Sequence, residues 1–220
     1  EQEPRQFSLE VSVGGAVFEN SVGSFVLKEW NYPQDYRHGS ISFRNNVSMG
    51  RINQAARISA EQPRLSSLLF IDTETSGLSV NSGTFAFLVG VGRFDDEGFH
   101  LQQFIIRDPS EEKALLLHLS NIFRPDTVFV TFNGKSFDIP LLQSRMIINK
   151  LPARFRDNLH MDILHLSRKL WRNQLESCAL KDLETAILHL ERTTEDVPGW
   201  MIPDIYFEYL RTGDPQKISD

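Results

Sequence analysis

Leu68-Leu69-Phe70-Ile71-Asp72-Thr73-Glu74-Thr75 is the stretch on which the fold turns. Four consecutive apolar residues suit a strand buried on both faces, and this run ends in two acids. On a strand, an i, i+2 spacing puts both side chains on one face, so Asp72 and Glu74 stand side by side at a strand end. Like charges held so close are offset by a shared proton, a basic neighbour or a divalent cation. Hard oxygen donors at this spacing suit Mg²⁺ or Mn²⁺, and ligands of α/β sheets gather at the carboxyl ends of strands. A solvated strand end whose acids merely cap a loop fits the same three residues equally well.

Outward from this stretch, residues 85–92 and 99–106 read as strands joined by the turn Asp95-Asp96-Glu97-Gly98, an antiparallel hairpin extending from the first strand. Ser110-Glu111-Glu112 opens a helix carrying Ala114, Leu115, Leu117, Leu119 and Ile122. Residues 127–132 form a fourth strand and 140–148 a second helix with Pro140 in its first turn. Residues 161–166 are a short strand or a helix start, and 180–190 a third helix. Three strands followed by alternating helix and strand predict an α/β fold, a mixed β-sheet flanked by helices. Upstream, Phe7, Leu9, Val11 and Val13 alternate as a half-buried strand does, 22–27 supplies its hairpin partner, and 31–39 reads as loop. This predicts a β-rich N-terminal appendage, 1–65, ahead of a main domain, 66–220.

Composition excludes several classes. With 220 residues, 40% of them hydrophobic, the chain can bury a substantial core and is not intrinsically disordered. No apolar run approaches the roughly 18–20 residues that span a bilayer. A single cysteine, Cys178, excludes an internal disulfide and points to a reducing, cytoplasmic compartment. Neither a phosphate-binding Gly-rich P-loop nor a Gly-x-Ser-x-Gly elbow occurs, which excludes the chemistries built on them. The net charge of −6 argues against a generally basic nucleic-acid coat. It hides a polarity, however. Residues 143–181 hold eight Lys/Arg, among them Arg145, Lys150, Arg154, Arg156, Arg168 and Lys169, against three acids, while 182–220 hold nine acids against three bases.

A second acidic feature follows the strand at 127–132 directly: Asn133-Gly134-Lys135-Ser136-Phe137-Asp138. Asn-Gly suits a tight turn, and Asp138 stands at the mouth of the next helix. It serves there as an N-cap or as a third ligand. If 127–132 lies beside 67–73 in the sheet, Asp138 joins Asp72 and Glu74 at one sheet edge. Three such acids can hold two cations roughly 3.5–4 Å apart, the arrangement used in phosphodiester cleavage.

Both motifs resemble those of the DEDD-type, RNase H-like 3′–5′ exonucleases: Phe70-Ile71-Asp72-Thr73-Glu74-Thr75-Ser76-Gly77-Leu78 the first, and residues 132–142 around Asp138 the second. More narrowly they resemble the YprB-type RNase H-like family of bacteria. So do His160-Met161-Asp162-Ile163-Leu164-His165, Arg168-Lys169-Leu170-Trp171, and Glu195-Asp196-Val197-Pro198-Gly199-Trp200-Met201-Ile202-Pro203. The resemblance implies an RNase H-like fold, Asp72, Glu74 and Asp138 as catalytic metal ligands, two Mg²⁺ or Mn²⁺ ions, and a nucleic-acid 3′ end, DNA or RNA, as substrate. It also implies a fourth acid in a His-Asn-x-x-Asp-like segment, and no His-Asn pair occurs in this sequence. The expectation is therefore either a chain cut short of that ligand or an internal substitute. Asp162 is the internal candidate, with pairing to a nearby Arg or His as its alternative. Thr75, Asn133, Lys135 and Arg145 are the candidates for contacting substrate, and Trp171 for stacking a base. A non-catalytic RNase H-like module that binds nucleic acid or protein is the rival reading.

Overall fold

The computed structural model describes residues 8–44, 48–56, 64–77, 79–81, 83–153, 155, 157–190 and 197–219. Of the residues singled out above, Phe7, Leu78, Arg154, Arg156, Glu195 and Asp196 lie outside them.

A seven-stranded sheet organises the molecule. Its strands are β1 (Ala16–Asn20), β2 (Gly23–Pro33), β5 (Leu68–Thr75), β6 (Ala86–Phe94), β7 (Gly98–Ile105), β8 (Val128–Thr131) and β9 (His160–Asp162), in the order β1-β2-β7-β6-β5-β8-β9. β3 (Arg37–His38) and β4 (Ile41–Ser42) form a separate short ladder. The pairs from β1 through β5 are antiparallel, and β5–β8 and β8–β9 are parallel. The sheet is thus mixed, as the element order predicts. All four residues of β8 are buried, as befits a strand covered on both faces.

Helices α3 (Glu112–Ile122), α4 (Asp138–Ile148) and α7 (Ile202–Thr212) share one face. Leu115, Leu119, Leu142, Met146 and Tyr206 pack there on Leu69, Ile71, Phe87, Val89 and Phe104. Tyr206 stacks on Phe87 with centroids 4.1 Å apart and planes 3° from parallel. On the other face, Leu9 and Val13, at the ends of α1 (Leu9–Ser12), pack on Val26 and Ile105. Met49 and Ile52 of α2 (Met49–Ala56) pack on Leu68, Val128, Val130 and Met161. α5 (Ile163–Trp171), α6 (Leu180–Leu183) and the short α8 (Gln216–Ser219) are the other α-helices among the described residues.

Four local expectations change. Residues 9–12 are helical rather than extended: Leu9 and Val13 are buried while Val11 is 60% exposed, the i, i+4 spacing of a helical face. The hairpin partner of 22–27 is therefore β1. Asn31-Tyr32-Pro33 continues β2, paired to His100, Phe99 and Gly98, with Pro33 as the terminal residue of the strand, a position that proline tolerates. The helix at 180–190 is α6 followed by a π-helical turn, Glu184–Leu188, that ends in left-handed His189 (φ 52°). α7, which periodicity did not single out, has Pro203 in its first turn and stops at left-handed Gly213 (φ 70°). The β-rich character expected of residues 1–65 resides mainly in β1 and β2, and these are hydrogen-bonded through β7 into the main sheet. Among the described residues, no helix is long and apolar enough to cross a membrane.

Candidate active site

Because β5 and β8 are parallel neighbours, their carboxyl ends lie together. Along β5, Leu69 and Ile71 enter the main core, so the alternate residues Phe70, Asp72 and Glu74 face the other way. The ladder sets Asp72 opposite Gly90 of β6, and Gly90 opposite Gln103 of β7. The rows on either side are Phe70–Gly92–Leu101 and Glu74–Leu88–Ile105. A cavity of about 540 Å³ opens here, lined by both acids, Phe70, Phe99, Leu88 and Gln103 among others. At Gly92 a Cβ would run into the Phe99 ring, whereas at Gly90 it would meet only the Asp72 carbonyl oxygen, 3.9 Å away. Gly90 thus leaves open space beside Asp72.

The third acid arrives through the turn after β8. Asn133 takes left-handed backbone (φ 69°). Gly134 is required by close packing: a Cβ would lie 2.6 Å from Asp138 Oδ2 and 2.7 Å from Thr131 Cβ. Asp138 is the first residue of α4, the capping position being Phe137, and it makes no N-cap of its own. Its Oδ1 instead accepts a hydrogen bond from the Thr73 hydroxyl. The residue between the two β5 acids therefore ties them to the third.

Asp162 holds this turn in place. Its Oδ1 accepts from the backbone N–H groups of Asn133 (2.9 Å) and Leu164 (3.0 Å), and its Oδ2 from that of Lys135 (3.1 Å). The expected Arg or His partner is replaced by backbone, and Asp162 also N-caps α5. His160 Nε2 lies 2.8 Å from the Thr131 hydroxyl, a structural role; His165 is exposed.

The acids disturb one another. Burial, then the charge of Asp138, pushes the Asp72 carboxyl up to about 6. By surface area Asp72 is nonetheless exposed. Burial, then Asp72 and Asp138, pushes Glu74 up to about 7. Asp138 is raised too, chiefly by burial, with the Thr73 hydroxyl opposing the rise and Asp162 adding to it. Three hard oxygen donors near enough for their charges to disturb one another have the chemistry of a divalent-cation site. Among the described residues, however, no three His, Cys, Asp or Glu side chains already stand together as ligands. Side-chain adjustment would have to close such a site.

The other sequence candidates divide. Asn133 and Lys135 are exposed on the turn that leads to Asp138. Thr75 is buried and its hydroxyl donates to the Gly77 carbonyl at 2.7 Å, which fixes the turn after β5. Arg145 is a correction: its guanidinium donates to both oxygens of Glu112, each at 2.6 Å, in a buried pair that joins α3 to α4. Trp171 is half-buried; Arg168, Lys169, Arg172 and Lys181 are exposed. Sequence reasoning assigned no role to Thr73, although it stands inside the first motif. A second cavity of about 260 Å³ was also unforeseen. Thr73, Glu74, Thr75, Phe137, Gly199 and Pro203 line it, so Glu74 is a wall of both cavities.

Comparison with known proteins gives the following. The sequence profile described as RNase_H superfamily matches residues 69–220. "Uncharacterized protein YprB" of Bacillus subtilis (strain 168) is 32% identical over 201 residues, covering 88% of this chain and 48% of that protein. The chain therefore spans about half the length of that relative. Among solved structures, an ExoI/SSB-Ct complex is similar at a TM-score of 0.46 and 16% identity, covering 70% of this chain and 43% of the other. E. coli exonuclease I in complex with a dT13 oligonucleotide is similar at a TM-score of 0.38 and 18% identity, covering 46% and 29%.

Proposed function

The chain belongs to the RNase_H superfamily, and on that premise we propose that it is a divalent-metal-dependent nuclease, a 3′–5′ exonuclease on DNA or RNA acting in the cytoplasm. One observation supports the reading: at the ends of two parallel strands the charge of Asp138 on α4 reaches Asp72 and Glu74 of β5 and helps to raise both carboxyls, and Asp138 itself is raised by burial. Asp72, Glu74 and Asp138 would hold Mg²⁺ or Mn²⁺. Bound there, such cations supply activation of the attacking water and neutralise charge at the departing oxygen.

The chain's own groups do the rest. Asp72 and Glu74, whose carboxyls burial and neighbouring charge raise, would have to be deprotonated to hold such a cation. Thr73 keeps Asp138 aimed through its hydroxyl, and Asp162 fixes the turn that delivers it. Lys135, exposed on that turn, would meet substrate phosphate.

The test is Mg²⁺- or Mn²⁺-dependent shortening of end-labelled single-stranded and duplex DNA and RNA. Asp72→Asn should reduce it to background; cleavage that survives this change overturns the assignment. The rival reading, a binding module without turnover, is favoured by the engagement of Asp162 with backbone N–H groups and by the absence of a ready-made ligand trio among the described residues. It predicts nucleic-acid or protein binding that is insensitive to metal.

A further inference from the structure

On the cavity side of the sheet the rows that begin at the acids do not stop at β7. β2 is the next strand, and it sets Lys28 opposite Gln103 and Trp30 opposite Leu101. Residues paired directly across an antiparallel ladder share a face. Asp72, Gly90, Gln103 and Lys28 therefore form one row, and Phe70, Gly92, Leu101 and Trp30 the row beside it. Three strand spacings separate Asp72 from Lys28, about 14 Å at ~4.8 Å each. The row lies low at Gly90, where a Cβ would meet only the Asp72 carbonyl oxygen. Gln103 stands in the cavity wall, and its side-chain amide has no hydrogen-bond partner among the described residues. At the far end Lys28 Nζ lies 4.5 Å from the centre of the Trp30 ring, and both residues are half-buried. Lys28 is the one cation of the two rows and, among the described residues, it joins no ion pair.

From this row we infer that Lys28 and Trp30 of β2 form a distal subsite for a single nucleic-acid strand whose end lies at Asp72 and Glu74. Carboxylates at one end of the row repel phosphates unless a cation stands between, whereas the ammonium at the other end attracts one directly. The distance between the two ends suits about four stacked nucleotides at ~3.4 Å each. An indole face stacks any base, provided that the base is unpaired. A ring holds a partly exposed ammonium only weakly, so a phosphate can draw Lys28 off Trp30 and leave the ring to a base. Gln103, between the two ends, offers an amide that can donate to a phosphate oxygen. The N-terminal strands, joined to the main sheet through β7, thereby gain a part in the site. The subsite rests on the nuclease reading for its purpose, but binding and cleavage are separate measurements.

The experiment is fluorescence anisotropy of labelled oligo-dT, oligo-U and a blunt DNA duplex, titrated with the chain in EDTA over a range of salt so that nothing is cut. Lys28→Gln should weaken single-strand binding about fivefold at low salt and flatten the slope of log affinity against log salt by about 0.7. Lys28→Gln/Trp30→Ala should weaken it about tenfold or more, while Trp30→Phe, which keeps a ring, should stay within about threefold of wild type. Oligo-dT should quench tryptophan emission in wild type and much less in Trp30→Phe. Lys113→Gln, an exposed position on α3, removes the same charge elsewhere and should leave affinity and slope as they are. A circular-dichroism melting curve checks that each variant folds. Affinity and salt slope unchanged in Lys28→Gln overturn the subsite, whatever the outcome for Asp72→Asn, and mark the pair as a structural cover of the sheet. An equal loss in Lys113→Gln, duplex binding as tight as single-strand binding, or no oligonucleotide binding by wild type also overturns it. Single-strand binding that depends on Lys28 and Trp30 in a chain that never cleaves upholds the subsite and overturns the nuclease reading.

Discussion

The Thr73 hydroxyl donates to the Asp138 carboxylate, and so the strand bearing two acids is locked to the helix bearing the third. Thr73→Val removes the donor while keeping the shape. Asp138 should then lose the interaction that restrains its upward shift. Mn²⁺ binding, read by calorimetry at pH 7, should weaken about tenfold, with a stability cost of about 1 kcal/mol. Thr73→Ser should restore both. Equal Mn²⁺ affinity in Thr73→Val and wild type would show that the bond does not organise the acids.

Metal-free stability should fall as pH rises from about 4 to about 7. Asp72 and Glu74 have folded-state values of about 6 and 7 against ordinary values of 3.8 and 4.5. Between those limits the folded chain holds more protons than the unfolded chain, so unfolding becomes easier with rising pH. The penalty is absent below about pH 4 and fully developed above about pH 7. Adding Mn²⁺ should accordingly raise the melting temperature by roughly 2–6 °C at pH 8 and by less than about 1 °C at pH 5. Asp72→Asn should melt higher than wild type at pH 8 without metal.

Asp162 predicts a different signature. Its carboxylate serves three backbone N–H groups, so Asp162→Ala should cost about 3 kcal/mol in urea unfolding, with cleavage lost through the displaced turn. Asp162→Asn, which keeps one acceptor oxygen, should cost less. A ligand role would give the reverse pattern, with Mn²⁺ affinity lost at little expense in stability.

Arg145→Ala should destabilise by about 3 kcal/mol, because it leaves the buried Glu112 carboxylate without its charged partner while Asn149 still donates to it. The pair Arg145→Met/Glu112→Gln should recover most of that loss. Cleavage per folded molecule should be unchanged in the double variant, which a substrate-contacting arginine would not permit.

How far the sequence was legible depended on the reach of each signal. The apolar runs at 68–71 and 127–132 located two adjacent strands because burial on both faces leaves an unmistakable run, and their adjacency placed Asp138 near Asp72 and Glu74. Arg145 was misjudged because local charge says nothing about a partner 33 residues away on another helix. Residues 9–13 were misjudged because Leu9, Val11 and Val13 fit a period of two, while only the packed core shows that Val11 is outside. The backbone partners of Asp162 were invisible for a similar reason: a turn's N–H groups have no letter code. Trp200 stood in a quoted motif, but its exposure follows from how α7 is seated.

That seating rests on Tyr206, flat against Phe87 with its neighbour Phe207 turned outward. Adjacent letters of the sequence thus answer to separate demands, one to the fold and one to whatever meets the surface. The outward ring can therefore be replaced without disturbing the interior that Tyr206 holds, and the helix can be re-surfaced as a cassette.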